Sequence, residues 1–221
     1  HNMAMDLPGM KRAEQAFTVF TLRELQSVRT ISLDGIDIAV PSVRFNAVYV
    51  FIHAWHHFSG NGVGVRQLAD WMLCLHELAQ TLSAEEKQAY AHDLERLLRR
   101  MSMLQIWQTF GCVIVRHLGL PKEEFLLYNA SQERRGERLY QQLLHDGHSY
   151  RLANKEKGAT IHSFPFHRPE KNRIAQVLFT LVRIPYDTFQ LAKIFPHLAI
   201  RQFFGKIRLG VLKVLKKTAS V

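Results

Sequence analysis

From Pro41 to Leu118 apolar residues recur at helical spacing almost without interruption, and no other feature constrains the fold as tightly. Phe45, Val48, Phe51, Ile52 and Trp55 fall on one face of a first long helix, which stops near Ser59-Gly60-Asn61-Gly62. Val65, Leu68, Trp71, Met72, Leu75 and Leu78 give the stripe of a second. Ser83, with Glu86 three residues on, is a capping box that opens a charged helix to about Met101. Ser102 to Leu118 is mostly apolar and predicts a central helix, which Gly119 and Pro121 end. These segments bury one face each, so they must pack on one another. The expected class is mainly α, a multi-helix bundle.

The flanks differ. Residues 1–9 predict a loop, or the cut end of something longer. A helix follows over Lys11–Leu25, with Ala16, Phe17, Phe20 and Leu22 as candidate buried positions. The period then changes to two: Ile31 and Leu33 alternate with polar residues before Asp34-Gly35, and Ile36, Ile38 and Val40 alternate after it. Asp-Gly between alternating runs predicts a hairpin with a type I′ turn, because both turn residues need positive φ. A lone hairpin is marginal in water, so this one is expected to pack on helices or to extend a sheet. Beyond Pro121 the pattern predicts a short helix to about Tyr128, a polar helix over Ser131–His145 and an irregular stretch from His148 to Phe166. Two or three helices follow from Arg168, broken near Pro185 and Pro196. Residues 1–167 are read as the hairpin plus helical domain, and 168–221 as a basic helical tail packed on it.

Composition excludes several classes. With 221 residues and 47% hydrophobic content the chain can bury a substantial core without staples. Cys74 and Cys112 are its only cysteines, which excludes a disulfide scaffold and a cysteine-rich zinc site and fits a reducing cytosol. No apolar run reaches the ~18 residues of a spanning helix. The net charge of +10 sits almost wholly in the tail: residues 168–221 hold 11 of the 29 basic residues but only Glu170 and Asp187 of the 19 acidic ones. A near-neutral body with a basic tail places any contact with a polyanion or an anionic membrane at the tail.

Polar groups crowd into the run Phe51-Ile52-His53-Ala54-Trp55-His56-His57-Phe58 and the stretch from Gly62 to Trp71. His53 and His57 are four apart and share a helix face, a spacing able to bind a divalent metal. A zincin places glutamate after the first histidine; here Ala54 stands there, so that reading fails. The bland account is a set of capping or hydrogen-bonded core histidines. Arg66 and Asp70, also four apart, can form an internal ion pair or hold a ligand between them. Gly62-Val63-Gly64 suits a tight helix connection and lacks the strand that a dinucleotide loop requires. No nucleophile elbow or Walker loop occurs, and the histidines at His145, His148, His162 and His167 lack metal spacing.

The run from Asn46 to Trp71 resembles the signature of an uncharacterised nucleotidyltransferase family met among polysaccharide-assembly functions. In that family a histidine-rich helix precedes a Gly-x-Gly-φ-Arg-Gln-φ-x-Asp-Trp stretch, φ being apolar. Gly62, Gly64, Arg66, Gln67, Asp70 and Trp71 match it, and His53, His56 and His57 match the helix. The resemblance implies a nucleotide or sugar-linked substrate in a cleft faced by His53, His57, Arg66, Gln67 and Asp70. Arg66 would be the anion contact, Asp70 its orienting partner, and the histidines polar or metal-facing. It also implies Mg²⁺ for the intact protein, held by an Asp-x-Asp strand in a preceding α/β portion. This chain has no such strand. Asp34 and Asp37 lie three apart across a turn, whereas strand carboxylates need alternate positions to share a face. The expectation is therefore the C-terminal portion of a longer nucleotidyltransferase-like protein, or a form that lost its catalytic half, inactive alone and without a cofactor of its own.

The tail supports a competing class. Ile200, Phe203, Phe204, Ile207, Val211, Val214 and Leu215 form an apolar stripe, with Arg201, Lys206, Arg208, Lys213, Lys216 and Lys217 mostly off it. This is the layout of a basic amphipathic helix at a membrane surface, and equally of a C-terminal helix docked on the bundle with its charges in water. A non-catalytic module that binds a protein partner or an anionic membrane would use it. Nothing interleaves aromatic and basic residues on a sheet, so nucleic acid has little support. The expected location is cytoplasmic, peripheral to the membrane where the tail binds it.

Overall fold

A computed structural model describes residues 11–60, 64–153, 173–200 and 203–205, the side chains of Gly60, 145–153, 173–177 and Thr180 excepted. The described chain is mainly helical with a small N-terminal hairpin, the class expected. It divides into two compact units, one comprising residues 12–144 and the other residues 145–221, each with a short stretch from the N-terminus.

In the first unit α1 (Lys11–Glu24) leads into β1 (Arg29–Leu33) and β2 (Ile36–Val40). The hairpin is antiparallel with Ile31 opposite Ile38 and Leu33 opposite Ile36. Asp34 and Gly35 have φ of 51° and 77°, the left-handed pair that a type I′ turn requires. Its register collects the apolar residues on one face, yet Leu33 and Ile36 are 58% and 66% exposed. At the start of β1, Arg29 pairs with Glu77 of the second bundle helix at 2.6 Å. The expectation of a hairpin covered by helices is not met within the described residues. Leu22, expected inside, is 62% exposed, because α1 buries Ala13, Phe17, Phe20, Thr21 and Glu24 instead.

The bundle follows the periodicity closely. Helices α2 (Val43–Gly60), α3 (Val65–Thr81), α4 (Ala84–Arg100) and α5 (Leu104–Val113) succeed one another. Ser83 caps α4 as its spacing predicts: its hydroxyl accepts the Glu86 N–H, and the Glu86 carboxylate accepts the Ser83 N–H. All three tryptophans, Trp55, Trp71 and Trp107, are fully buried at the centre. Trp71 and Trp107 meet edge to face at 4.9 Å, and Phe51 meets each at 5.2 and 5.0 Å. Each such ring removes about 150–250 Å² from water, which at about 25 cal/mol per Å² is roughly 4–6 kcal/mol gross. The indole N–H groups need acceptors there: Trp71 donates to the Ala47 carbonyl at 2.9 Å and Trp107 to Leu126 at 3.0 Å.

The segment after α5 departs from expectation. The central helix ends in a π-helical turn, Ile114–Leu118, stopped by Gly119 at φ 89°. In place of a helix to Tyr128 there is one 3₁₀ turn, Lys122–Glu124, and then an irregular run with Leu127 at φ 68°. Phe125 explains the difference: it turns inward onto Gly111, where a Cβ would overlap its ring, and stacks on Trp107 at 5.8 Å. A 3₁₀ turn, Ala130–Gln132, precedes α6 (Glu133–Ala153), which continues through residues expected to be irregular. Gly136 brings α6 against Cys112 of α5, since a Cβ there would lie 2.7 Å from the Cys112 Cβ.

In the second unit α7 (Arg173–Ala192) runs through Pro185, where a break was expected. Pro185 lies on the exposed side of a helix whose inner residues continue to Leu191, so the lost hydrogen bond does not end it. The break comes at Lys193–Ile194 ahead of Pro196, and Leu191, Ile194, Phe195 and Ala199 are buried.

Candidate functional site

Two faces of α2 carry different chemistry. One buries Val48, Phe51, Ile52, Trp55 and Phe58 in the bundle. The other carries Phe45, Tyr49, His53 and His57, each four residues on from the last, as a column of rings. Phe45 and Tyr49 stack at 5.3 Å, Tyr49 and His53 at 6.3 Å, and Phe17 of α1 lies against Tyr49 at 6.5 Å. The column ends in a pair: His53 and His57 place their Nε2 atoms 3.1 Å apart. In the absence of an ion one ring carries its proton on Nε2 and the other a lone pair there. Burial, with the adjacent rings of His53 and His56, holds His57 below the usual imidazole range.

Arg66 and Asp70 stand on the outer face of α3, both exposed, while Leu68, Trp71, Leu75 and Leu78 hold the inner one. The internal ion pair anticipated between them is not formed, and neither makes an ion pair among the described residues. Leu73, one turn beyond Asp70 on that face, is 61% exposed. Gln67 acts locally, its amide oxygen accepting the Gly64 N–H at 2.8 Å and so capping α3. Arg201, Lys206, Arg208, Lys213, Lys216 and Lys217 lie outside the described residues.

The fold also assembles two polar regions that the pattern did not reveal. One is a groove of about 570 Å³ lined by Arg23, Glu24, Arg29, Ser42, Arg44 and Tyr90, among others. At its base Glu24 is 8% exposed and accepts from the Arg23 guanidinium at 3.1 Å and the Ser42 hydroxyl at 3.0 Å. Ser42 in turn accepts the Phe45 N–H at 3.0 Å, so the carboxylate ties the end of α1 to the start of α2. Tyr90 donates to the Arg44 carbonyl at 2.9 Å, and burial pushes its phenol well above the usual range.

The other region surrounds the π-helical turn. Glu133 accepts from Tyr128 at 2.7 Å and pairs with Arg116 at 2.5 Å. His117 stacks flat on Tyr140 at 3.8 Å and meets Glu137 at 2.9 Å. The Tyr128 hydrogen bond, then the Arg116 charge, holds Glu133 below the usual carboxylate range. Burial raises the thiols of Cys74 and Cys112, so neither is an activated nucleophile.

Mg²⁺ is a poor match for what is here. It takes oxygen ligands in an octahedral set, whereas the closest donor pair on α2 is two imidazole nitrogens. No group of three or more His, Cys, Asp or Glu side chains suited to an ion occurs among the described residues.

No family model, curated protein or solved structure matches this chain.

Proposed function

We propose that residues 12–144 form the substrate-facing helical portion of a nucleotidyltransferase-like protein, with the outer face of α3 toward a nucleotide or sugar-linked substrate. The observation that carries this reading is the pair Arg66 and Asp70, exposed and without an ion-pair partner among the described residues. Held in solvent beside the exposed Leu73, the Arg66 guanidinium and that side chain offer an anion contact and an apolar surface together. The resemblance of the Asn46–Trp71 run supplies the reaction class. No chemical step is assigned to these residues, because the strand that would hold Mg²⁺ and triphosphate is not in this sequence.

The test is a titration of the 221-residue chain with a Mg²⁺–nucleoside triphosphate, followed by backbone amide shifts. The reading expects saturable shifts along the first two turns of α3. Shifts that never saturate, or that fall elsewhere, contradict it.

A second reading rests on a separate observation in the second unit. Leu178, Leu181, Val182 and Phe189 of α7 are 56–64% exposed, and residues 168–221 carry eleven basic residues against two acidic ones. An apolar stripe on a strongly basic segment suits an anionic bilayer surface, to which each nearby Lys or Arg contributes about 1 kcal/mol. Sedimentation with phosphatidylserine-containing vesicles, lost on deleting residues 199–221 with the fold intact, supports this reading. Equal binding to neutral and anionic vesicles, or none, removes it.

A further inference from the structure

The His53–His57 pair has a geometry that neither reading uses. An ion bonded to two imidazoles at 2.0–2.1 Å holds its donor atoms roughly 2.9 Å apart at a square corner and 3.3 Å apart at a tetrahedral one. The observed separation of 3.1 Å lies between those limits. The rings are close to perpendicular, at 81°. The helix fixes their spacing, and the Tyr49 ring, nearly parallel to His53 at 11°, holds the first of them in place. Little rearrangement is then required on binding beyond a tautomer change in one ring, whose Nε2 proton is exchanged through solvent for one on Nδ1.

We propose that His53 and His57 form a bidentate site for a borderline divalent transition ion of the Zn²⁺ or Cu²⁺ class, with its remaining coordination positions open. Nitrogen donors select such ions over Mg²⁺ and Ca²⁺, which prefer carboxylate and carbonyl oxygens. His53 is exposed and His57 half-buried, so solvent or an oxygen of a bound molecule can complete the shell. The proposal does not depend on the nucleotide reading and survives its failure.

Isothermal titration of the full chain with ZnCl₂ tests it, using wild type, His53→Ala, His57→Ala and His92→Ala. His92 is an exposed histidine of α4, and its variant controls for loss of any one imidazole. The second imidazole of a chelate binds intramolecularly, so removing either is expected to weaken this site on the order of 100-fold. His92→Ala should leave it unchanged, and equimolar MgCl₂ should not displace the Zn²⁺. The Cu²⁺-loaded wild type should show the electron paramagnetic splitting of two equivalent nitrogens, and His53→Ala that of one. Superimposable isotherms for wild type and His53→Ala overturn the proposal, as does displacement by Mg²⁺. Should His57→Ala fail to fold, exposed His53 still decides the matter.

Discussion

Two kinds of charged side chain are present in the first unit: those the fold engages on several sides, and those it leaves in water. Glu133 belongs to the first kind. Its depressed pKa means that its contribution to stability is complete above the ordinary carboxylate range and is lost as pH falls through the depressed value. Glu133→Gln should therefore melt below wild type at pH 7, and the gap should close below about pH 4. Thermal unfolding at stepped pH measures this; a constant gap would assign the effect to packing. Gly111 tests packing itself. A methyl there meets the Phe125 ring, so Gly111→Ala should cost about 1–3 kcal/mol in urea unfolding, the range of an overpacked core. Glu24 was not legible in sequence: it lies on the face that buries Ala13, Phe17 and Phe20, but its partner Ser42 is eighteen residues away and only the fold brings the two together. The Tyr128–Glu133–Arg116 cluster was not legible, because its members meet through an irregular segment whose path is set by Phe125 packing on Gly111.

Among the elements, legibility followed period and capping. Helices α2, α3 and α4 lie where the apolar spacing places them, and the Asp34-Gly35 turn has the predicted hand. Ser83→Ala removes the hydroxyl that accepts the Glu86 N–H and should lower stability by about 1 kcal/mol, whereas Ser83→Asp should retain most of it. Equal melting temperatures for wild type and Ser83→Ala would mean that water replaces the cap at no cost. Proline misled twice in kind: after Pro121 the chain gives a single turn instead of a helix, while at Pro185 the helix continues. The difference lies in burial. Phe125 pulls one segment out of helical register, and in the other the ring of Pro185 faces outward.

At the scale of the whole molecule, the large aromatic core lies within residues 12–144, with all three tryptophans in it. A fragment spanning residues 11–144 should accordingly unfold in one cooperative transition with tryptophan fluorescence and circular dichroism coincident. Non-coincident curves would show that residues beyond 144 are needed to complete that core. Function is a different matter from fold, since packing accounts for α2 and α3 inward but not for what stands on their outer faces. On the reading proposed above, Arg66 serves a substrate and not the fold. The most direct test is Arg66→Ala, read by thermal unfolding and by Mg²⁺–nucleoside triphosphate binding on the same preparation. An unchanged melting temperature with binding weakened at least about tenfold, or about 1.4 kcal/mol, is the predicted result. A protein that melts lower and binds as wild type does would make Arg66 a structural residue and contradict that reading.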